Sequence, residues 1–218
     1  MVTKVIYLHL HKCGGSALMR YLKETENLTY NEETNGNLSE EQKHIPYQYV
    51  PHDIIAYEEH APAYEQMQDA LTICIFRHPV ERLWSNYTYD SKYQYIPEMT
   101  FREYCLSTKT TNYGLYNMPN LYLRYFGGSI KNVKDRIENI DMVLTLEDDI
   151  SLYIPVYNQT EDKPEITPSD YEYALELNQG DMEIYNYVQD LRLRRMLSCS
   201  KPIVTNQLFR LCLNDYGC

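Results

Sequence analysis

Lys4-Val5-Ile6-Tyr7-Leu8-His9-Leu10-His11-Lys12-Cys13-Gly14-Gly15-Ser16-Ala17-Leu18-Met19-Arg20-Tyr21-Leu22-Lys23 carries three structural signals in succession. Residues 4–10 alternate and are rich in β-branched and aromatic side chains, which reads as a strand. Cys13-Gly14-Gly15-Ser16 breaks it, and Ser16 reads as the N-cap of a helix over 17–23. The pattern recurs. Ala70-Leu71-Thr72-Ile73-Cys74-Ile75-Phe76 is a continuous apolar run, as expected of a strand buried on both faces of a parallel sheet. Pro79 then suits a first helical turn, and a helix over 80–89 follows. Strand, turn and helix in repetition predict an α/β fold with right-handed crossovers. The expected architecture is a single domain over 1–218, with a P-loop-like central parallel sheet flanked by helices.

Further along, residues 24–68 are polar and punctuated by Pro46, Pro51 and Pro62, and read as an irregular excursion with one short helix. Thr100 and Glu103 form a capping-box signature ahead of a helix to 106. Residues 120–126 read as a helix stopped by Gly127-Gly128. A helix over 130–137 and a third strand over 141–146 come next. Thr167-Pro168-Ser169-Asp170 opens a helix to 177, and Asp181 reads as the cap of a last one to 197.

The length of 218 residues lets about 70% of the extended chain's surface be buried, enough for one core. The chain has 20 Lys+Arg against 31 Asp+Glu, a formal net charge of −11. That excludes a general nucleic-acid binder, whose affinity comes from Lys and Arg on phosphates, but allows a local basic pocket for a small anion. With 23 Tyr against 4 Phe and 1 Trp, the aromatic usage has two readings, composition bias or an aromatic surface for sugars. No run reaches the roughly 20 apolar residues of a membrane span, and no secretory signal is evident. A soluble, cytoplasmic protein of a microbial or viral source is the expectation. A Golgi location would require that a leader and anchor had been removed. Cys13 and Cys74 fall in core or loop segments and read as free thiols, while Cys199, Cys212 and Cys218 could pair under oxidising conditions. No His, Cys or carboxylate spacing suggests a metal.

Two segments carry chemistry. In 9–18, a Gly-Gly turn between strand and helix offers successive N–H groups and a helix N-terminus to an anion, and Lys12 adds a full charge. The spacing differs from GxxxxGK[ST], because Lys12 precedes the glycines. In 74–87, Arg77 sits at the C-terminal end of a buried strand, the edge where open α/β sheets bind ligands. Arg77 can grip phosphate bidentately and Ser85 can add a hydroxyl, while Arg82 has two readings, a second cation of the site or, preferred here, a helix-surface ion-pair partner near Glu81.

Together these segments resemble the sulfotransferases that use 3′-phosphoadenosine 5′-phosphosulfate (PAPS), in particular the carbohydrate branch typified by heparan sulfate 2-O-sulfotransferases. The first resembles hxKTGGTSL, and the second, Arg77-His78-Pro79-Val80-Glu81-Arg82-Leu83-Trp84-Ser85-Asn86-Tyr87, resembles RDPVERLxSxY. Weaker echoes lie at 120–127, 141–147 and 178–185. The resemblance implies that Lys12, Cys13, Gly14, Gly15, Ser16 and Ala17 hold the 5′-phosphosulfate, with Lys12 neutralising the leaving oxygen, and that Arg77 and Ser85 hold the 3′-phosphate. It implies sulfuryl transfer to a hydroxyl, with a carbohydrate as acceptor and no metal. His52 is the first choice of general base, with His44, His60 and Glu24 as alternatives. Cys13 and Ser16 stand where the family has Thr, and His78 where it has Asp, which leaves the Cys13 side chain's role open. Acceptor contacts would fall in 24–68 and 92–120. The competing readings are a nucleotide or small-molecule kinase with a degenerate phosphate loop, and a nucleotide-binding protein without turnover.

Overall fold

The computed structural model describes residues 4–32, 36–39, 41–44, 46–58, 61–62, 70–107, 119–150 and 164–198. Four parallel strands form one sheet in the order β2-β1-β3-β4: β1 is Val5–Leu8, β2 Ile54–Tyr57, β3 Leu71–Phe76 and β4 Met142–Thr145. Helices α1 Gly15–Glu26, α2 Pro79–Lys92, α3 Phe101–Leu106, α4 Leu121–Tyr125, α5 Ile130–Glu138, α6 Pro168–Leu177 and α7 Gln179–Ser198 accompany it. The expected α/β fold with a parallel sheet is therefore what the chain adopts. Among the described residues no helix is long and apolar enough to cross a membrane.

Strand burial follows from sheet position. All six residues of β3 are buried, as an interior strand covered on both faces requires. Val5 pairs with Ile54 on one side and with Leu71 on the other, so β1 is also interior. The chain moves from β1 out to β2 in one direction and to β3 in the other. The C-terminal ends of β1 and β3 therefore border a topological switch point, where a crevice opens above the sheet. Both segments singled out from sequence begin there.

Several expectations change. The excursion over 24–68 contains β2, which forms an edge of the sheet. Four residues behind Pro51 are too short a run to show a period. The helix after β1 starts at Gly15, with Gly14 at its N-cap position and no side-chain cap, so Ser16 lies inside the first turn. Asp181 does not cap its own helix. It is fully buried and accepts from the Tyr122 amide at 3.0 Å and the Leu123 amide at 3.2 Å, supplying the cap that α4 lacks. The lock is reciprocal: Asn120 Oδ1 accepts from the Asp181 amide at 3.0 Å, and Asn178 Oδ1 accepts from the Asn120 amide at 3.1 Å. The Thr100–Glu103 capping box is present as read.

Burial pushes the Asp181 carboxyl up to about 6 from an ordinary 3.8, against the two amides and the nearby Arg82 charge, which favour the anion. A carboxyl raised in the fold contributes stability below its ordinary value and loses that contribution as pH rises through about 6. Wild type should therefore lose more stability than Asp181→Asn between about pH 4 and pH 7. Urea midpoints of the two proteins across that range check it, and parallel curves would refute the assignment.

Candidate active site at the switch point

The loop leaving β1 runs over two residues in left-handed backbone, Lys12 at φ 63° and Gly14 at φ 92°. Gly15 follows under a steric limit: a Cβ there would lie 2.4 Å from His9 Nε2, so the His9 ring and the helix start can meet only at a glycine. His9 is buried, accompanies Tyr7 with ring centroids 5.0 Å apart and hydrogen-bonds Asn37, and burial pushes its imidazole down to about 4. His11 is likewise pushed down by burial and hydrogen-bonds Asn86. Both imidazoles therefore stay neutral beneath the loop.

The chain leaving β3 meets this loop directly. Arg77 Nη1 donates to the Lys12 carbonyl at 3.2 Å, and Arg77 Nη2 lies 3.9 Å from the Glu81 carboxylate. The Arg77 side chain is only 17% exposed, and its buried Nε has no partner among the described residues. The Tyr122 hydroxyl clamps the same point: it receives the Arg77 amide at 3.2 Å and donates to the Arg77 carbonyl. Tyr122 also faces Cys13 Sγ at 3.8 Å. The Cys13 side chain is thus turned into the core, its amide donates to Leu10 O at 3.3 Å, and the Ala17 amide donates to Gly14 O at 3.1 Å. Cys13 and Ala17 spend their amides inside the loop.

Helix α2 presents two stripes to this region. Arg82, Asn86 and Asp90 recur at four-residue spacing and are buried. The surface role expected for Arg82 is overturned: it is 0% exposed, and its charge acts on His11, Cys13, Tyr104, Tyr122 and Asp181. Asn86 Nδ2 donates to the Tyr104 hydroxyl at 2.6 Å, which donates to Asp90 Oδ2 at 2.6 Å. Burial raises the Asp90 carboxyl, and Tyr104 and Lys12 oppose that rise. The neighbouring stripe, Glu81, Ser85 and Tyr89, is half-buried. Lys12 Nζ lies over the Tyr89 ring, 3.7 Å from its centroid, one helical turn beyond Ser85. Lys12 and Arg77 are thus joined by a hydrogen bond, and Ser85 lies along the same helix face.

The His78 position carries no side-chain cap for α2. Glu147, just past β4, fills that role: its Oε1 accepts from the His78 amide at 2.9 Å, and its Oε2 accepts from Tyr185 at 3.0 Å. The His78 ring stacks on Tyr171 at 5.9 Å, and burial lowers its pKa. Sequence reasoning missed the Glu147 cap. It also missed the His11–Asn86–Tyr104–Asp90 chain, although polar residues at i, i+4 and i+8 on a buried helix were a readable signal.

The candidate bases fall elsewhere. His52 precedes β2 and lies at the N-terminal edge of the sheet, where Lys4 Nζ donates to its carbonyl at 2.6 Å. The loop bearing Lys12 leaves the opposite edge, about five residues of strand away, or roughly 16 Å. Glu24 is exposed near the far end of α1. His44 ends a short 3₁₀ turn, Gln42–His44, and its side chain lies outside the described residues, as does all of His60. The structure does not bring His52 or Glu24 to Lys12.

Tyr104→Phe should destabilise the protein by about 1–3 kcal/mol, because Asp90 and Asn86 would each lose a buried partner. Denaturant unfolding measures it, and an unchanged midpoint would exclude a structural role for the chain of bonds.

A family model described as "Sulfotransferase family" matches residues 2–152. A solved structure, "Crystal Structure of Sulfotransferase from Alicyclobacillus acidocaldarius", is similar over 84% of this chain and 96% of its own, with 16% identity and a TM-score of 0.45. A search of curated proteins returned no match. The family model spans well over half of the chain, including both segments that meet at the switch point, and the protein belongs to the sulfotransferase family.

Proposed function

We propose that the protein transfers a sulfuryl group from PAPS to a hydroxyl of a carbohydrate. The observation that carries this reading is the Lys12–Arg77 junction: a buried, incompletely satisfied guanidinium donates to the backbone carbonyl of the loop lysine at the switch point. PAPS has one anionic group at each end of its ribose, and two cations on adjacent strand ends suit that separation. The amides of Gly14, Gly15 and Ser16 at the start of α1 would take the 5′-phosphosulfate, aided by the helix N-terminus. Cys13 and Ala17 would shape the loop rather than donate to it, since their amides are already engaged. Arg77 and Ser85 would take the 3′-phosphate.

In the transfer, the acceptor oxygen attacks sulfur, the S–O bond to the 5′-phosphate breaks, and 3′-phosphoadenosine 5′-phosphate (PAP) leaves with the bond's electron pair. Charge develops on that phosphate oxygen, and the Lys12 ammonium offsets it there. The acceptor hydroxyl proton passes to a base at the C-terminal edge of the sheet, on the same side as Lys12. Of the four candidates, His60 follows that edge in the chain, three residues past the end of β2 at Tyr57. The kinase reading is disfavoured by the loop itself, which lacks the GK[ST] lysine beyond the glycines.

PAP should raise the melting temperature more than ADP, or ATP with magnesium, at equal concentration, because only PAP carries the 3′-phosphate that Arg77 and Ser85 would hold. Equal or greater stabilisation by ATP would overturn the reading. Lys12→Ala should lower turnover of radiolabelled PAPS by about a hundredfold or more while leaving the fold intact.

His52→Ala should retain near-full turnover and His60→Ala should lose it. The reverse result would move the base to the opposite edge and refute the placement of the reaction at the switch point.

A further inference from the structure

Beyond Tyr89, helix α2 ends in an uncommon way. The Tyr95 amide donates to Asp90 O at 2.9 Å and the Gln94 amide to Ser91 O at 3.2 Å, the paired bonds of a Schellman closure. Its left-handed position is normally glycine, yet here it is Gln94, at φ 57°. The closure turns the chain back on the helix and gathers three rings. Tyr89 and Tyr93 centroids lie 4.7 Å apart, and Tyr95 lies 6.0 Å from each. Tyr89 and Tyr93 are i, i+4 neighbours, and Tyr89 carries the Lys12 ammonium. Along one seam of α2 the order is therefore Ser85, then Tyr89 with Lys12, then Tyr93 and Tyr95. A strained backbone position held at such a place points to a purpose for the arrangement.

We propose that Tyr93 and Tyr95 form the acceptor platform, and that its ligand is a neutral oligosaccharide laid across the rings with one hydroxyl directed to Lys12. This rests on the sulfotransferase reading above and names the acceptor's class and position. Three features select a sugar chain. Tyr93 is 52% exposed and the rings are tilted by 24–50°, which among the described residues makes an open platform rather than a slot that encloses a planar aryl molecule. Tyrosine pairs an apolar ring face with a polar tip, matching the C–H face and hydroxyl rim of a pyranose. The net charge of −11 repels polyanionic chains at long range, so a neutral glycan is favoured over a heavily sulfated one.

Titration calorimetry with chitohexaose, cellohexaose and maltohexaose, each with and without PAP, tests the platform. A heparin-derived hexasaccharide and p-nitrophenol serve as the polyanionic and aryl probes. At least one neutral hexasaccharide should bind. Its dissociation constant should rise tenfold or more in Tyr93→Ala and by a smaller factor in Tyr93→Phe, which keeps the ring face and loses the polar tip, with PAP affinity unchanged in both. The proposal is overturned if no neutral hexasaccharide binds in either condition, if Tyr93→Ala binds it as wild type does, or if only p-nitrophenol or the heparin fragment depends on Tyr93. Tyr93-dependent hexasaccharide binding in a protein that fails to bind PAP would support the platform while refuting the donor assignment.

Discussion

The loop after β1 has to lie against the chain leaving β3, because these strands are parallel neighbours and end side by side. That adjacency is the constraint on which the site depends. It is held by the Tyr122 hydroxyl, which grips the Arg77 peptide on both sides and faces Cys13. Tyr122 in turn is placed by α4, a helix of five residues too short to be stable alone. The buried lock of Asn120, Asn178 and Asp181 fastens α4 to the start of α7. Geometry at the switch point is thus inherited from a polar contact on another helix, and a change at Asp181 would reach Lys12 through two intermediates, Tyr122 and Arg77.

Electrostatically, the site is a cationic locality inside an acidic protein. Lys12, Arg77 and Arg82 gather around the loop, and Arg124 lies near Arg82, with burial first and that charge second lowering its pKa. Such a concentration of like charge is tolerable because carboxylates are interleaved with it. Asp90 lies near Lys12, Asp181 near Arg82 and Arg124, and Glu81 near Arg77. A dianionic ligand entering this lattice would meet cations already oriented, which is the arrangement that costs least reorganisation.

Much of this was legible in residues 4–23 and 70–89. A glycine pair after an alternating strand, and an arginine ending a continuous apolar run, are local signals, and local signals survive in sequence. What was not legible is relational. Ile54–Tyr57 is a strand only because β1 is there to pair with it. His52 looked well placed by its position between the two segments, but parallel pairing sends the start of β2 to the edge opposite the loop. Asp181 carried the pattern of a helix cap and does cap a helix, one some sixty residues earlier in the chain. Arg82 read as a surface charge because nothing in its neighbours announces that α3, α4 and α7 close over it. The return of Tyr95 onto Tyr89 depends on Gln94 adopting a backbone conformation that its residue type disfavours.

Cys13 sits in the middle of the loop that meets Arg77, yet burial pushes its thiol up to about 12, and Cys74 and Cys105 are likewise raised and buried. Oxidants, electrophiles and disulfide partners react with thiolates, and these three sulfurs supply almost none. The sulfur at the centre of the loop is thus buried and held as a thiol, the form least reactive toward oxidants and disulfides.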